Sequence, residues 1–189
     1  MLKKNLISSL FLNARHKKTF DILSDLAPTK ILDVGCDDGH FLAILKKHLN
    51  SELYGCDMDN TNLDEAIKNC PTATIIHGDV INLKSGLFDL VTMLEVLEHQ
   101  KDHKRLLINA RSILRKDGRL LISIPRSELL HWRLIWWLWS NTLGRRWHGQ
   151  HNDLTENHLV YDASKCGFKL EKKSRFFFGC ISIMLFKRG

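Results

Sequence analysis

The stretch that decides the fold is residues 30–39, which read Lys-Ile-Leu-Asp-Val-Gly-Cys-Asp-Asp-Gly. A short apolar run leads into a turn with two glycines, and apolar residues then recur at helical spacing from Phe41 to Leu49. Glycine permits the tight turn that joins a buried strand to a helix. The stretch therefore predicts a strand, a glycine turn and a helix whose first N–H groups face that turn.

The same alternation continues along the chain. Further strands are predicted at 52–57, 73–77, 88–94, 119–124, 168–178 and 179–186, and helices at 5–26, 60–70 and 102–115. Alternating strands and helices predict a doubly wound α/β fold, with a mostly parallel seven-stranded sheet and helices on both faces. The last two strands have almost no connection, which parallel neighbours cannot have, so the final strand is predicted to be antiparallel.

Length and composition limit the protein class. With 189 residues and 44% hydrophobic content, the chain is long enough for one substantial core and too short for two ordinary domains, so residues 1–189 are predicted to form a single domain. The five cysteines include no Cys-x-x-Cys pair, which argues against a zinc site and disulfides. Neither a signal peptide nor an apolar run of roughly 20 residues is present, which favours a cytoplasmic protein.

Acidic residues follow three successive predicted strands. Asp33 ends the first, Asp57 ends the second, 22 residues after Gly35, and Asp79 follows the third. Ligands of doubly wound sheets bind outside the carboxyl ends of the strands, where an acidic side chain accepts hydrogen bonds from ribose hydroxyls. Three carboxylates at this edge favour a ligand that carries positive charge.

These motifs carry a family resemblance. The chain resembles class I S-adenosylmethionine-dependent methyltransferases, of the type 11/12 group of small enzymes. The resemblance rests on residues 31–41 and 54–57, on His77-Gly-Asp79, on Phe88-Asp-Leu-Val-Thr-Met-Leu-Glu-Val-Leu-Glu-His99, and on 114–125. It implies a Rossmann-like fold with a helical extension at 1–28 and an acceptor-side insertion at 126–160.

The resemblance also implies the cofactor, S-adenosyl-L-methionine, and a set of residues that hold it. Near the methionine portion it places Asp33, Gly35, Cys36 and Gly39; at the adenosine, Asp57, Met58, Asp79 and Val80; near the sulfonium, Leu94, Glu95 and His99. The family usually has glycine where this chain has Asp37. Aspartate tolerates a positive φ better than most residues, so the turn is expected to survive, but weaker cofactor binding remains open.

Two histidines are candidate general bases for methyl transfer. His99 follows the fourth strand and His151 lies in His148-Gly-Gln-His151. Histidine is suited to this role because its pKa lies near neutrality, although either residue could instead orient a loop. His99 and His103 have i, i+4 spacing, but no third ligand is apparent, so no metal is expected.

All five tryptophans lie between residues 131 and 147, interleaved with arginines. This segment predicts an acceptor pocket or a helix at a membrane interface, with a plain core or dimer face as the alternative. Trp132, Trp136, Trp137 and Trp139 are the candidates for peripheral contact with the inner membrane face. The acceptor is expected to be a small molecule, a glycan or a lipid-linked precursor, methylated at oxygen.

Three alternative functions have partial support in the sequence. The pI near 9.2 suggests RNA methylation, but the chain lacks the Asn/Asp-Pro-Pro-aromatic and Pro-Cys motifs of that chemistry. Tyr161 and Lys165 match the Tyr-x-x-x-Lys spacing of short-chain dehydrogenases, but the glycine pattern does not. A protein that binds S-adenosylmethionine at a membrane surface without catalysis is the third alternative.

Overall fold

The computed structural model describes residues 6–23, 25–79, 86–130, 132 and 154–189. The helices are α1 (Leu6–Leu23), α2 (His40–His48), α3 (Leu63–Asn69), α4 (His103–Ile113) and α5 (Glu156–Lys165). The strands are β1 (Lys30–Val34), β2 (Glu52–Asp57), β3 (Thr74–His77), β4 (Phe88–Leu94), β5 (Leu114–Pro125), β6 (Phe168–Phe176) and β7 (Ile181–Arg188). Short 3-10 turns cover Asn60–Asn62 and Leu97–His99.

These strands form one seven-stranded sheet in the order β3-β2-β1-β4-β5-β7-β6. β7 is antiparallel to β5 and β6, and the pairs among β1 to β5 are parallel. The predicted fold class is therefore confirmed, including the antiparallel last strand. Strand order reverses between β1 and β4, which is where sheets of this type bind their ligands.

Two apolar layers cover the two faces of the sheet, because successive strand residues point to opposite faces. On one face, side chains such as Leu32 and Ile122 pack with Leu107 of α4 and Leu159 of α5. On the other face the core is formed by residues from α1, α2, α3 and the sheet: Ile22, Leu23, Ile31, Phe41, Leu42, Leu45, Leu63, Leu90 and Leu121. Helices on both faces hold the strand ends, and so the loops after them, in fixed positions.

The boundary between α4 and β5 differs from the prediction. The helix was expected to extend to 115 and the strand to begin at Arg119, but α4 ends at Ile113 and β5 begins at Leu114. Pairing of β4 with β5 shifts between Phe88 and Leu90, and Asp117 has a φ of 64°. Residues 115–118 therefore form a bulge within β5, whereas their turn-like sequence predicted a loop.

The connection between β6 and β7 also differs. The predicted strands met between Phe178 and Gly179, whereas β6 ends at Phe176 and β7 begins at Ile181. Phe177 and Phe178 both have a φ of 53°, and Gly179 has a φ of 80°. The Cys180 N–H donates to the Phe177 carbonyl at 2.9 Å. The end of the aromatic run, which was predicted to be strand, therefore forms a left-handed turn.

Several predicted features lie outside the described residues: Val80, His151 and the tryptophans from Trp136 to Trp147. Within the described residues, none of the helices combines the length and apolarity that crossing a bilayer requires.

Candidate functional site

The turn after β1 has the geometry that its glycines predicted. Gly35 and Gly39 have φ values of 73° and 71°. A Cβ on Gly35 would lie 2.6 Å from Val96 Cγ2, and one on Gly39 would lie 2.8 Å from the Ala66 Cα. Gly39 is also the residue that precedes the first turn of α2. Both positions therefore require glycine, and the turn brings the start of α2 against α3.

Asp37 adopts the left-handed conformation expected of it, with a φ of 46°. Its N–H donates to Asp57 Oδ2 at 3.0 Å, and Asn62 Nδ2 donates to Asp37 Oδ1 at 2.6 Å. The aspartate that replaces the usual glycine is thus accommodated by contacts with the loop after β2.

Asp57 connects two turns at the end of β2. Besides accepting from Asp37, it accepts from the Asp59 N–H through Oδ1 at 3.0 Å. Each carboxylate oxygen has two lone pairs, so both can accept a further hydrogen bond from a ligand. The carboxylate is half-buried, and the two backbone donors fix its orientation at the strand end.

Asp33 is buried beneath the turn. Its Oδ1 accepts a 2.5 Å hydrogen bond from Thr92 Oγ1 on the neighbouring strand β4. Burial raises the pKa of Asp33 to about 7, and the charge of Asp57 adds to this shift, while the Thr92 hydroxyl and the Arg15 guanidinium oppose it. A positive ligand above this carboxyl would favour its ionised form.

The three predicted carboxylates lie around Cys56. Burial raises the pKa of the Cys56 thiol to about 12, and Asp33, Asp57 and Asp79 each raise it further by their negative charge. Asp79 is half-buried just beyond β3. The structure therefore brings together the acidic residues that the sequence placed at three strand ends, with Asp33 beneath the other two. Cys36, 4% exposed, lies in the same turn and its N–H donates to the Cys56 carbonyl at 3.2 Å.

Met58 and Leu94 occupy different environments at this edge. Met58 is 68% exposed, and its carbonyl lies 3.1 Å from His77 Nε2. Leu94 is half-buried and packs against the core shared by α1 and α2. The exposed thioether side chain beside Asp57 is available to cover a flat ring.

Arg15 is a site residue that the sequence did not single out. This residue of α1 is 8% exposed, and its Nη1 lies 2.8 Å from Glu95 Oε2. Glu95 has a φ of 59° directly after β4. Arg15 belongs to the basic run Arg-His-Lys-Lys at 15–18, and nothing in that run distinguishes the buried Arg15 from the exposed Lys17. The contact ties the N-terminal helix to the strand end nearest the predicted sulfonium position.

Glu98 is a second buried charged residue that the sequence did not single out, and it directly precedes the candidate base His99. Glu98 is 2% exposed, and burial raises its pKa to about 8; the nearby Glu95 adds to the shift and Arg15 opposes it. Within the described part of the chain, its Oε2 has no hydrogen-bond partner. His99 is exposed at the end of the 3-10 turn, so it does not share a helix with His103.

A cavity of about 370 Å³ lies at the opposite edge of the sheet. Its walls include Pro28 before β1, Asp89 in β4 and the bulge at 115–118. Because the acidic residues lie at the other ends of the strands, this cavity is separate from the candidate site.

Comparison with known proteins agrees with this geometry. A demethylmenaquinone methyltransferase of Thermotoga maritima is 30% identical over 112 residues, which cover 57% of this chain and 48% of that protein. A ubiquinone biosynthesis O-methyltransferase of Coxiella burnetii is 27% identical over 99 residues, with coverage of 49% and 42%. The chain thus spans about half the length of the curated relatives it matches.

A solved structure shares the fold over the whole chain. Magnesium protoporphyrin IX methyltransferase from Synechocystis, with bound S-adenosylhomocysteine, superposes with a TM-score of 0.76 at 16% identity, covering 100% of this chain and 90% of that one. The methyltransferase-domain family itself matches residues 10–171. This chain therefore belongs to the family of methyltransferase domains.

Proposed function

We propose that the protein transfers a methyl group from S-adenosylmethionine to a small-molecule acceptor, at an oxygen atom. The observation that carries the proposal is the left-handed glycine turn between β1 and α2, with Asp57 fixed beside it and Asp33 beneath it. The turn admits close approach of a ligand to the backbone, and the carboxylates supply the negative charge that a sulfonium and an ammonium group require.

We assign a partner at this edge to each part of the cofactor. Asp57 would accept from the ribose hydroxyls, Met58 would cover the adenine, and Asp79 with the Val80 backbone would bind the adenine edge. Gly35, Cys36 and Gly39 would line the methionine portion above Asp33.

Arg15 extends this set. Its guanidinium is a buried cation near Asp33 and Glu95. A guanidinium at this position would pair with the carboxylate of the methionine portion. Leu94 and Glu95 would close the site beside the sulfonium.

The chemistry needs positioning more than acid catalysis. S-adenosylmethionine supplies an electrophilic methyl group on a cationic sulfur. An acceptor oxygen that takes this methyl group would have to release its proton to a base of the protein, while the departing sulfur, a neutral thioether, would need no acid. His99 and His151 are the proposed bases, and the surrounding helices would hold the reacting atoms in line and exclude water.

The nature of the acceptor is supported by two kinds of observation. The names of the curated relatives point to quinones and that of the structural neighbour to a porphyrin, which are small molecules rather than nucleic acids. Tryptophans at 132, 136, 137 and 139 favour an apolar or lipid-linked acceptor, with peripheral contact at the cytoplasmic membrane face. Residues 126–160 would form the acceptor side of one domain, and residues 1–28 its helical extension.

A methyl-transfer assay tests the proposal. Radiolabelled S-adenosylmethionine is incubated with the protein and separate lipid, polar-metabolite and RNA fractions. Label in a small-molecule or lipid fraction that disappears with Asp57→Asn supports the proposal, and label confined to RNA contradicts it. Cofactor binding without label in any fraction would favour a non-catalytic binding protein.

A further inference from the structure

Two exposed apolar side chains stand in adjoining turns at the carboxyl end of β5. Phe178, in the hairpin tip formed by residues 177–180, is 88% exposed, and Leu130 is 80% exposed. Arg126 joins their turns: its N–H donates to the Cys180 carbonyl at 2.7 Å, and its Nη1 donates to the Gly179 carbonyl at 3.1 Å. Leu129 in turn donates to the Arg126 carbonyl.

The backbone of the hairpin tip does not favour an aromatic residue. Phe177 and Phe178 both have a φ of 53°, a conformation that glycine and asparagine adopt readily and bulky residues rarely do. Because the ring of Phe178 is exposed, little burial of apolar surface offsets the backbone strain. Backbone strain of this kind is a reason to look for a function at the position.

Cations lie directly behind the hairpin tip. Lys173 and Arg175 precede Phe176, the last residue of β6, by three residues and one, so at the usual rise of a strand they lie within roughly 10 Å of the start of the turn. Glu156 pairs with both, at 3.3 and 3.1 Å, and with Arg126 at 3.2 Å, while Arg126 also pairs with Glu128. Three cations and two carboxylates therefore leave an excess of positive charge behind the tip.

We propose that the hairpin tip inserts Phe178, together with Leu130, into the surface of a bilayer that contains anionic lipids. An apolar tip with cations set behind it matches the acyl boundary and the phosphate layer of such a surface. The inference rests on the proposed function, since it brings the acceptor side of the sheet to the place where a lipid-linked acceptor resides.

Vesicle binding of the full chain tests this inference. Sedimentation is measured with vesicles of phosphatidylcholine alone and of equal parts phosphatidylcholine and phosphatidylglycerol, without cofactor. We expect binding to the mixed vesicles that weakens as salt rises, and a loss of roughly tenfold or more in partitioning for Phe178→Asn. Ile108→Asn, at a 57% exposed position on α4, is the matched control and should bind like the wild type.

A second measurement separates docking from folding. Because asparagine tolerates the left-handed backbone, Phe178→Asn should melt at the same or a higher temperature than the wild type. Wild-type binding by Phe178→Asn, or no preference for anionic vesicles, would overturn the proposal. So would a change in oligomeric state without vesicles, which would identify the tip as a contact between two copies.

Failure of this inference is distinguishable from failure of the proposed function. A protein that binds S-adenosylmethionine and forms a methylated product, but ignores vesicles, removes the docking surface alone. A protein that binds vesicles through Phe178 but yields no methylated product retains the docking surface and removes the enzymatic proposal.

Discussion

The buried carboxyl of Asp33 would favour binding of a positively charged ligand, but its burial lowers the stability of the free protein. Its carboxyl is buried under the glycine turn with Thr92 as its hydrogen-bond donor. Burial raises its pKa to about 7, well above the ordinary value of 3.8. The carboxyl is therefore partly protonated near neutral pH until a positive ligand stabilises its charge.

Stability should consequently depend on pH through Asp33. Because the folded protein holds this proton more tightly than the unfolded chain, its contribution is full below about pH 4 and is lost as pH rises through 7. Asp33→Asn stays neutral, so between pH 4 and pH 8 the wild type should lose about 4 kcal/mol relative to the variant. Urea denaturation of both proteins without cofactor measures this difference.

The comparison isolates Asp33 because Glu98, whose pKa is also raised, is present in both proteins. A constant difference in unfolding free energy across the pH range would contradict the burial assigned to Asp33.

At the scale of single residues, the sequence predicted the positions of those site residues that directly follow a strand. Gly35, Gly39, Asp57 and Asp79 follow apolar runs, so their places were fixed by the alternation of strands and turns. Arg15 and Glu98 could not be predicted in the same way, because their burial depends on how α1 lies over β4. Side-chain burial of a charged residue is a tertiary property that a local pattern does not contain.

At the scale of elements, α1 is tied to the site by the ion pair of Arg15 and Glu95. Both side chains are largely removed from water, so removing either partner leaves a charge without compensation. Arg15→Gln and Glu95→Gln should each lower the unfolding free energy by about 2 kcal/mol, and the double variant should lose less than the sum. Chemical denaturation of the four proteins measures the coupling.

Lys17→Gln is the control for this cycle, since Lys17 is an exposed cation on the same helix. It should change stability by less than about 0.5 kcal/mol. If the double variant loses as much free energy of unfolding as the two single variants together, the ion pair does not hold α1 in place.

The start of α5 is held by a second charged group. Glu156 is 7% exposed and accepts from Arg126, Lys173 and Arg175 at 3.1–3.3 Å. Burial alone would raise the pKa of Glu156, but hydrogen bonds from Arg175 and the Ser182 hydroxyl, with the charges of Arg126 and Lys173, outweigh it and lower the pKa to about 2. The folded pKa is thus below the ordinary value of 4.5, and the stability that this group contributes is lost as pH falls from 4.5 through 2.

Glu156→Gln should therefore cost roughly 2 kcal/mol at pH 7, and the cost should shrink between pH 4.5 and pH 2. Glu128→Gln is the matched control, because Glu128 pairs with the same Arg126 from a more exposed position and should cost less. Equal losses from the two variants at pH 7 would contradict the role of the buried carboxylate. Guanidinium denaturation at several pH values gives the comparison.

The elements themselves were largely predictable. β1 to β4 lie within one residue of their predicted ranges, because buried parallel strands have short apolar runs bounded by turn residues. The bulge at 115–118 and the hairpin tip were not foreseen. Both depend on how the chain packs in the sheet. Leu114 pairs with Phe88 of β4, and a left-handed turn at Phe177 and Phe178 ends β6.

At the scale of the whole molecule, the sheet has distinct regions. The half from β3 to β4 ends in the acidic residues and the glycine turn, and the half from β5 to β6 ends in the aromatic hairpin tip. Under the proposed function, the first half would bind the cofactor and the second would face the acceptor, side by side at the reversal of strand order between β1 and β4. The motif order predicted the acidic strand ends, and the family resemblance implied an acceptor side at residues 126–160, most of which lie outside the described residues.

Calorimetric titration of the full chain with S-adenosylmethionine tests most directly whether the acidic strand ends bind this compound. We expect one binding event for the wild type and an affinity roughly 30-fold weaker or more for Asp57→Asn, which lacks one of the two carboxylate acceptors for the ribose. Asp59→Asn, a change at the neighbouring turn, should bind like the wild type. Absence of binding by the wild type, or equal affinity of Asp57→Asn, would contradict the claim.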